Sequence, residues 1–262
     1  MSYAKAEQEA LAALSPELSR LVQKPNFLLG LSYARAVSAF APEVRLATVR
    51  RQGADYNDSG LFGRFSSASA FRRALLSKEP QEREQSLAAL PAFVAEDAGK
   101  LHCGSMDDLE QALLYALRTK TPEELAAFAG VDEGIEYPLF RAGGMTTLNE
   151  ALFSVKSRRY TLARLKRMLC AVLLGITKEK QAIANEGPKY LRVLGVKKDA
   201  KELLGEIARR AGLPVIVKKA DAQYLGEDAR ALYDLDVRAS DVAALSWRCA
   251  AGRDFTEPLI TV

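Results

Sequence analysis

Histidine is nearly missing from this chain, whose 262 residues hold only His102. For these residues alone that excludes chemistry needing a histidine pair: HxGH adenylylation, His-rich zinc sites and most Ser-His-Asp hydrolysis. Cysteine is scarce too. Cys103, Cys170 and Cys249 lie far apart, with neither metal-ligand spacing nor a disulfide framework. That usage fits a reducing cytoplasm, the expected location, and no metal site is expected. No apolar run approaches the ~20 residues that span a bilayer, so no membrane partner is expected. The longest, around Met168 to Ile176, is about half that and sits beside Lys and Arg. The N-terminal MSYAKAEQEALAAL alternates charge with Ala and has no signal-peptide core. Internal repeats and low-complexity segments are also missing.

What is present is an ordinary globular composition, 48% apolar, sufficient for a packed core. The length suits one large domain or two small ones. The net charge of +4 is unevenly spread, which permits a polyanionic partner without establishing one.

Along the chain, Ala4 to Gln23 reads as two short helices, with Ser15-Pro16-Glu17 as a start signal for the second. Asn26 to Phe40 has helical apolar spacing and Pro42 ends it. Val44 to Val49, rich in β-branched residues, reads as a short strand ending in Arg50-Arg51. A polar, glycine-rich loop follows from Gly53 to Gly63, and Ser66-Ser67 opens a helix toward Leu76. Helix, strand, loop, helix is a piece of a parallel α/β unit. Lys78 to Gly104, with Pro80, Pro91 and dense charge, reads as a looser stretch holding the domain boundary. The expected fold is therefore an α/β remnant over residues 1–80, followed over 81–262 by a mainly α-helical domain with a small α/β tail. In the second part Ser105 is expected to cap Met106 to Arg118, and Thr121-Pro122-Glu123-Glu124 to open the next helix. Thr147 to Val155 and Thr161 to Leu174 are two more. In the tail, Tyr190 to Leu194 and Pro214 to Val217 read as extended. Asp199 to Ala211 reads as a helix, and Ala239 to Cys249 as the last one.

Three constellations could carry chemistry. In Ser66-Ser67-Ala68-Ser69-Ala70-Phe71-Arg72, hydroxyls lie at a helix start with an arginine one turn on, an arrangement that favours an anion. An ordinary Ser N-cap accounts for the same residues. Arg50-Arg51-Gln52-Gly53-Ala54-Asp55-Tyr56-Asn57-Asp58 follows a strand, where α/β folds bind ligands, and reads equally as a solvated loop. The stretch Lys156 to Arg167 has six basic residues in twelve and no acidic one: Lys156, Arg158, Arg159, Arg164, Lys166 and Arg167. With Tyr160 inside it, it has the character of a phosphate-backbone footprint with one stacking ring. Basic charge near a helix N-terminus disfavours the helix, so a ligand is a better reason for Arg158 and Arg159 than stability. A solvated basic helix face is the alternative. Leu162, Leu165, Leu169, Val172 and Leu173 form a core stripe. His102-Cys103 reads as an ordinary loop pair and Trp247 as packing.

In order, these segments resemble the tRNA(Met) cytidine acetate ligase family, of the HIGH-type nucleotidyltransferase superfamily. The match is carried by Lys24-Pro25-Asn26-Phe27-Leu28-Leu29-Gly30 with Tyr33, then by Arg50 to Asp58 and Ser67 to Arg72. Ser157-Arg158-Arg159-Tyr160-Thr161 with Arg164, Arg167 and Gly175-Ile176 continues it. Leu235 to Asp241 and Gly252-Arg253-Asp254-Phe255-Thr256 end it. The resemblance implies a Rossmann-like nucleotide-binding part and a ligase that activates acetate with ATP as acetyl-adenylate, with Mg2+. The acetyl group then passes to N4 of the wobble cytidine of elongator tRNA(Met). It implies that Asn26 and Arg50 or Arg51 contact the nucleotide and that Ser67, Ser69 and Arg72 hold phosphate. Lys156, Arg158, Arg159, Tyr160, Arg164, Lys166 and Arg167 would hold tRNA. No catalytic residue is assigned.

The sequence departs from the family at Phe71, where Ile is usual, at Ser69, where Thr is, and at Phe27, where a polar residue is common. The family's opening strand and HxGH site find no counterpart, so an N-terminally truncated form is expected. A non-catalytic tRNA- or RNA-binding helical module is the alternative, and a helical interaction protein a third reading.

Overall fold

The computed structural model describes residues 3–22, 24–49, 66–77, 79–100 and 102–262. They form two compact units, Met1–Gly99 and Lys100–Val262.

In the first unit, α1 (Tyr3–Ala12) packs on α2 (Pro16–Leu21). Ser15 caps α2 by accepting from the Leu18 N–H, and Pro16, which has no N–H to satisfy, occupies the first turn. The long α3 (Pro25–Phe40) is tied to α1 by the Arg35 guanidinium, which donates to both Glu7 carboxylate oxygens at 2.6 and 3.1 Å. Then come α4 (Ala68–Leu75), α5 (Pro80–Ala88) and α6 (Ala92–Lys100), with α4 packed on α5. The stretch expected to be loose between Lys78 and Gly104 thus holds two helices. Their proline starts were visible, but α5 is too polar for its apolar spacing to show.

The strand expected over Val44 to Val49 is not formed. The segment has no regular structure, and the Val44 N–H donates to the Ala41 carbonyl in a turn. A strand is stable only when a neighbour satisfies its backbone groups, and none of the described residues of this unit lies alongside as a strand. Val49 is 95% exposed and Phe40 89%. Of the apolar side chains described in this unit, only Val22, Ala70 and Ala74 are buried.

The second unit is built differently. A 3-10 turn (Asp107–Leu109) leads into α7 (Glu110–Arg118), followed by α8 (Pro122–Ala126), α9 (Glu136–Ala142), α10 (Leu148–Val155), α11 (Leu162–Leu174) and α12 (Lys178–Asn185). Leu113, Leu117, Leu125, Val131, Leu139, Leu148, Leu165 and Met168 meet in one core, each almost fully buried. Complete burial of one such side chain is worth about 1.5–3 kcal/mol. Thr121 with Glu124, and Thr147 with Glu150, form reciprocal capping boxes. Charged groups of α7 satisfy the ends of its neighbours. Glu110 accepts from the Leu148 N–H at 2.8 Å, while Arg118 donates to the carbonyls of Gly143 and Met145 at 2.7 and 2.8 Å. Ser105 behaves differently from expectation: its N–H and hydroxyl both donate to the Asp108 carboxylate, which is the acceptor at this start.

The tail holds β1 (Leu191–Arg192), β2 (Gly195–Val196), α13 (Lys201–Arg210), β3 (Val215–Ile216), α14 (Glu227–Trp247), α15 (Arg253–Thr256) and β4 (Ile260–Thr261). β1 pairs in parallel with β3, and β2 with β4. The last long helix starts at Glu227, twelve residues before the expected Ala239. Its first half reads polar, but Ala229 and Tyr233 are buried, and Tyr233 packs with Ile216 and Ala222. Tertiary packing of one narrow stripe overrides the polar composition.

Candidate functional site

Two regions hold the residues singled out by sequence, one in each unit.

In the first unit, Ser67 is the N-cap of α4. Its hydroxyl accepts from the Ala70 N–H at 3.1 Å, and the residue is 2% exposed. Ser69 is exposed one step inside the helix. The Arg72 Nε donates to the Ala68 carbonyl at 3.2 Å, so this side chain lies back along its own helix. Asn26 is exposed in the first turn of α3. Arg50 and Arg51 lie outside the described residues, as does the loop through Asp58. What the described residues present here is a capped helix start with one exposed hydroxyl.

The second region is fuller. Lys156 ends α10, and its ammonium sits 5.1 Å from the Phe153 ring centre. The chain then closes a tight turn in which the Ser157 N–H donates to the Tyr160 carbonyl and the Tyr160 N–H to the Ser157 hydroxyl, both at 3.1 Å. Thr161 caps α11. The turn throws Arg158 and Arg159 into solvent while burying Tyr160 to 8% exposure. The Tyr160 hydroxyl donates to the Asp132 carbonyl at 3.2 Å. Arg164 lies 4.7 Å and Arg159 5.9 Å from its ring centre. The ring expected to stack on a base is instead a buried post for two guanidinium groups, each held by its quadrupole.

Arg164, Arg167, Met168 and Ala171 follow the i, i+3, i+4, i+7 spacing of one helix face. With Lys166 and Cys170 they form one side of a groove of about 590 Å³. Ala129, Gly130, Ile176 and Gln181 form the other. That side is fastened by backbone bonds: Ala129 N–H to the Ile176 carbonyl and Lys178 N–H to the Ala127 carbonyl, each 2.9 Å. Gly130 turns the chain there at φ +76°, a conformation that favours glycine. Burial in the groove wall pushes the Cys170 thiol up.

Sequence reasoning missed the acidic partners. Glu133 ion-pairs with Arg159, and Asp132 with Lys178 at 2.7 Å. They sit in Gly130-Val131-Asp132-Glu133-Gly134, where Glu133 is held at φ +62° and Gly134 at +84°. The two glycines are the local sequence signal of this tight turn, while its position beside Arg159 is set by the fold. Arg158, Lys166 and Arg167 have no carboxylate partner among the described residues, and no group of His, Cys, Asp or Glu there could hold a metal ion. No helix among them is long and apolar enough to cross a membrane.

The second unit is thus a helical unit whose groove is rimmed by Arg164, Lys166 and Arg167. A profile described as HIGH Nucleotidyl Transferase matches residues 1–255, and the chain belongs to that family. It is similar to the tRNA(Met) cytidine acetate ligases of Thermoanaerobacter pseudethanolicus, 30% identical over 268 residues, and of Caldanaerobacter subterraneus subsp. tengcongensis, 31% identical over 267. Each alignment covers 99% of this chain, which spans only 66% of the relative's length. The fold is shared with the apo crystal structure of TmcAL from Thermotoga maritima, with TM-score 0.81 and 23% identity over 99% of this chain and 66% of that one. A second form of that protein, bound with alpha-thio ATP, gives TM-score 0.76 and 24% identity over 100% of this chain and 66% of that one.

Proposed function

We propose that this chain is the nucleotide- and tRNA-handling part of an ATP-dependent tRNA(Met) cytidine acetate ligase. In this reading an acetate oxygen attacks the α-phosphorus of ATP and pyrophosphate leaves. N4 of the wobble cytidine of elongator tRNA(Met) then attacks the acetyl carbon, and AMP leaves. The observation that carries the reading is the basic surface of the second unit, where Arg158, Lys166 and Arg167 are exposed without carboxylate partners among the described residues. Phosphate is the counter-charge such a surface fits. The names of the relatives at 30–31% identity support it further.

Residues 1–80 belong, on this reading, to a Rossmann-like nucleotide-binding domain and 81–262 to a tRNA-binding domain. Asn26, Arg50, Arg51, Ser67, Ser69 and Arg72 contact ATP. Ser67 also fixes the start of α4 as its N-cap, beside the exposed Ser69. Mg2+ is held chiefly by the triphosphate, as is usual for this ion. Lys156, Arg158, Arg159, Arg164, Lys166 and Arg167 hold the tRNA backbone, and Tyr160 positions two of them.

A second reading, a non-catalytic tRNA- or RNA-binding module, rests on the same basic surface, which needs no nucleotide chemistry to hold RNA. The test is an elongator tRNA(Met) transcript titrated with the chain at several salt concentrations, then incubated with ATP, Mg2+ and labelled acetate. Salt-sensitive binding with label on the tRNA supports the ligase. Salt-sensitive binding without label supports the module. Absence of binding at moderate salt overturns both.

A further inference from the structure

The groove beside α11 is not explained by phosphate contacts alone. Arg164, Lys166 and Arg167 rim a cleft. Its volume of about 590 Å³ lies within the roughly 300–1,000 Å³ of small-ligand sites. Its inner wall is apolar: Ala129, Met168, Ala171 and Ile176. Gln181 stands at the other side, exposed on α12, with an amide that can both donate and accept. Arg164 is preorganised at the cleft by its seat on the Tyr160 ring. One cationic side, an apolar wall and one amide are the three elements of nucleotide recognition: phosphate, base face and base edge.

We propose that this groove receives a single unpaired nucleotide of the bound RNA. Its phosphate meets Arg164 and Arg167, its base lies along Ala129 and Ile176 over the buried floor made by Met168 and Ala171, and its edge faces Gln181. The inference rests on the RNA-binding reading above and adds a requirement that reading lacks. Paired A-form RNA keeps its base faces stacked and shows mainly phosphates and 2′-hydroxyls, so it cannot fill the groove. An RNA with an unpaired loop can.

Cys170 lines the groove and serves as a reporter, with exposed Cys249 as the internal control. The full chain is treated with a thiol alkylator at mildly alkaline pH, alone, with a stem-loop RNA, or with a fully paired duplex of equal phosphate number. Modification of each cysteine is read by mass spectrometry, and affinities are measured beside it. The stem-loop is expected to protect Cys170 several-fold, to leave Cys249 unchanged, and to bind more tightly than the duplex. Gln181→Ala, at an exposed position, is expected to weaken stem-loop binding about five- to tenfold, the scale of one lost base contact, and to leave duplex binding unchanged. Equal affinity for both RNAs, or tight stem-loop binding with Cys170 still reactive, overturns the groove assignment while the RNA-binding reading stands. Failure of both RNAs to bind overturns the two together.

Discussion

The Tyr160 hydroxyl donates to the Asp132 backbone carbonyl at 3.2 Å, joining the start of α11 to the turn before α9 across 28 residues of sequence. The same ring seats Arg159 and Arg164. The hydroxyl therefore serves stability and the ring serves the cationic surface, and two substitutions separate them. Tyr160→Phe keeps the ring and is expected to cost about 0.5–1.5 kcal/mol in urea unfolding, with RNA affinity unchanged. Tyr160→Leu removes the ring as well and is expected to weaken RNA binding in addition. Equal RNA affinity in both variants would show that the ring does not organise the arginines.

Gly104 is fixed by close approach rather than by its dihedral angle. A Cβ there would stand 2.5 Å from the Ser246 hydroxyl, 2.8 Å from Trp247 Cδ1 and 2.9 Å from the Ser246 backbone carbonyl. The carbonyl belongs to α14 and cannot turn aside as a flexible side chain could. Gly104→Ala is expected to destabilise by about 1–3 kcal/mol, the usual cost of forcing an extra methyl into a packed contact. Chemical denaturation measures it, and an unchanged midpoint would mean that the loop before α7 yields freely.

Local signals were legible in sequence wherever the physics is local. The caps at Ser15, Ser67, Thr121, Thr147 and Thr161 each accept the N–H three residues on, a pattern set by side-chain reach within one turn. The core stripe Leu165, Leu169 and Val172 followed from helical period alone. The failures are of another kind. Val44 to Val49 has strand-forming residues, but pairing is a property of a second segment. The first half of α14 is held by Tyr233 packing on β3 and the 3-10 turn Lys219–Tyr224, and neither contact is local. Tyr160 looked like a free ring because its partner Asp132 is remote in sequence. The basic cluster was visible, and the groove it rims was not, because Ala129, Gly130 and Gln181 come from two other segments.

Asp108 supplies a pH-dependent contribution. The Ser105 N–H donates to its carboxylate at 2.8 Å, the Ser105 hydroxyl at 2.9 Å, and His102 Nε2 lies 3.2 Å away. The Ser105 backbone bond, aided by these neighbours and opposed by burial, holds the carboxyl down to about 2 from its ordinary 3.8. A lowered carboxylate pKa means that the unfolded chain takes up the proton first. The contribution is therefore complete above pH ~4 and is lost as pH falls toward ~2. Asp108→Asn is expected to cost about 1 kcal/mol near neutral pH, as for a lost helix cap. The gap to the unsubstituted chain should close on acidification, as read by thermal unfolding at stepped pH. A gap independent of pH would assign the loss to shape rather than charge.

Arg158 and Arg159 give the sharpest test of the basic surface. Both are exposed in the turn before α11, where positive charge opposes the helix dipole. Arg159 pairs with Glu133, but an exposed ion pair is worth only about 0–1 kcal/mol. Replacing both by Ala should leave thermal stability within about 0.5 kcal/mol of the parent chain. Each phosphate they neutralise releases counterions, so each contributes roughly 0.7–0.9 to the log–log dependence of affinity on salt. The double variant should bind tRNA more weakly, with a slope flatter by about one to two units. Glu133→Gln removes the competing carboxylate charge without removing a cation, and should move affinity the opposite way at low salt. If the double variant unfolds, the arginines are structural. If it binds with an unchanged slope, the RNA surface lies elsewhere on the molecule. A weaker, flatter double variant alongside a tighter Glu133→Gln would place the phosphate contacts at this turn, because Glu133 competes with phosphate for Arg159 and its loss moves affinity opposite to the loss of the arginines.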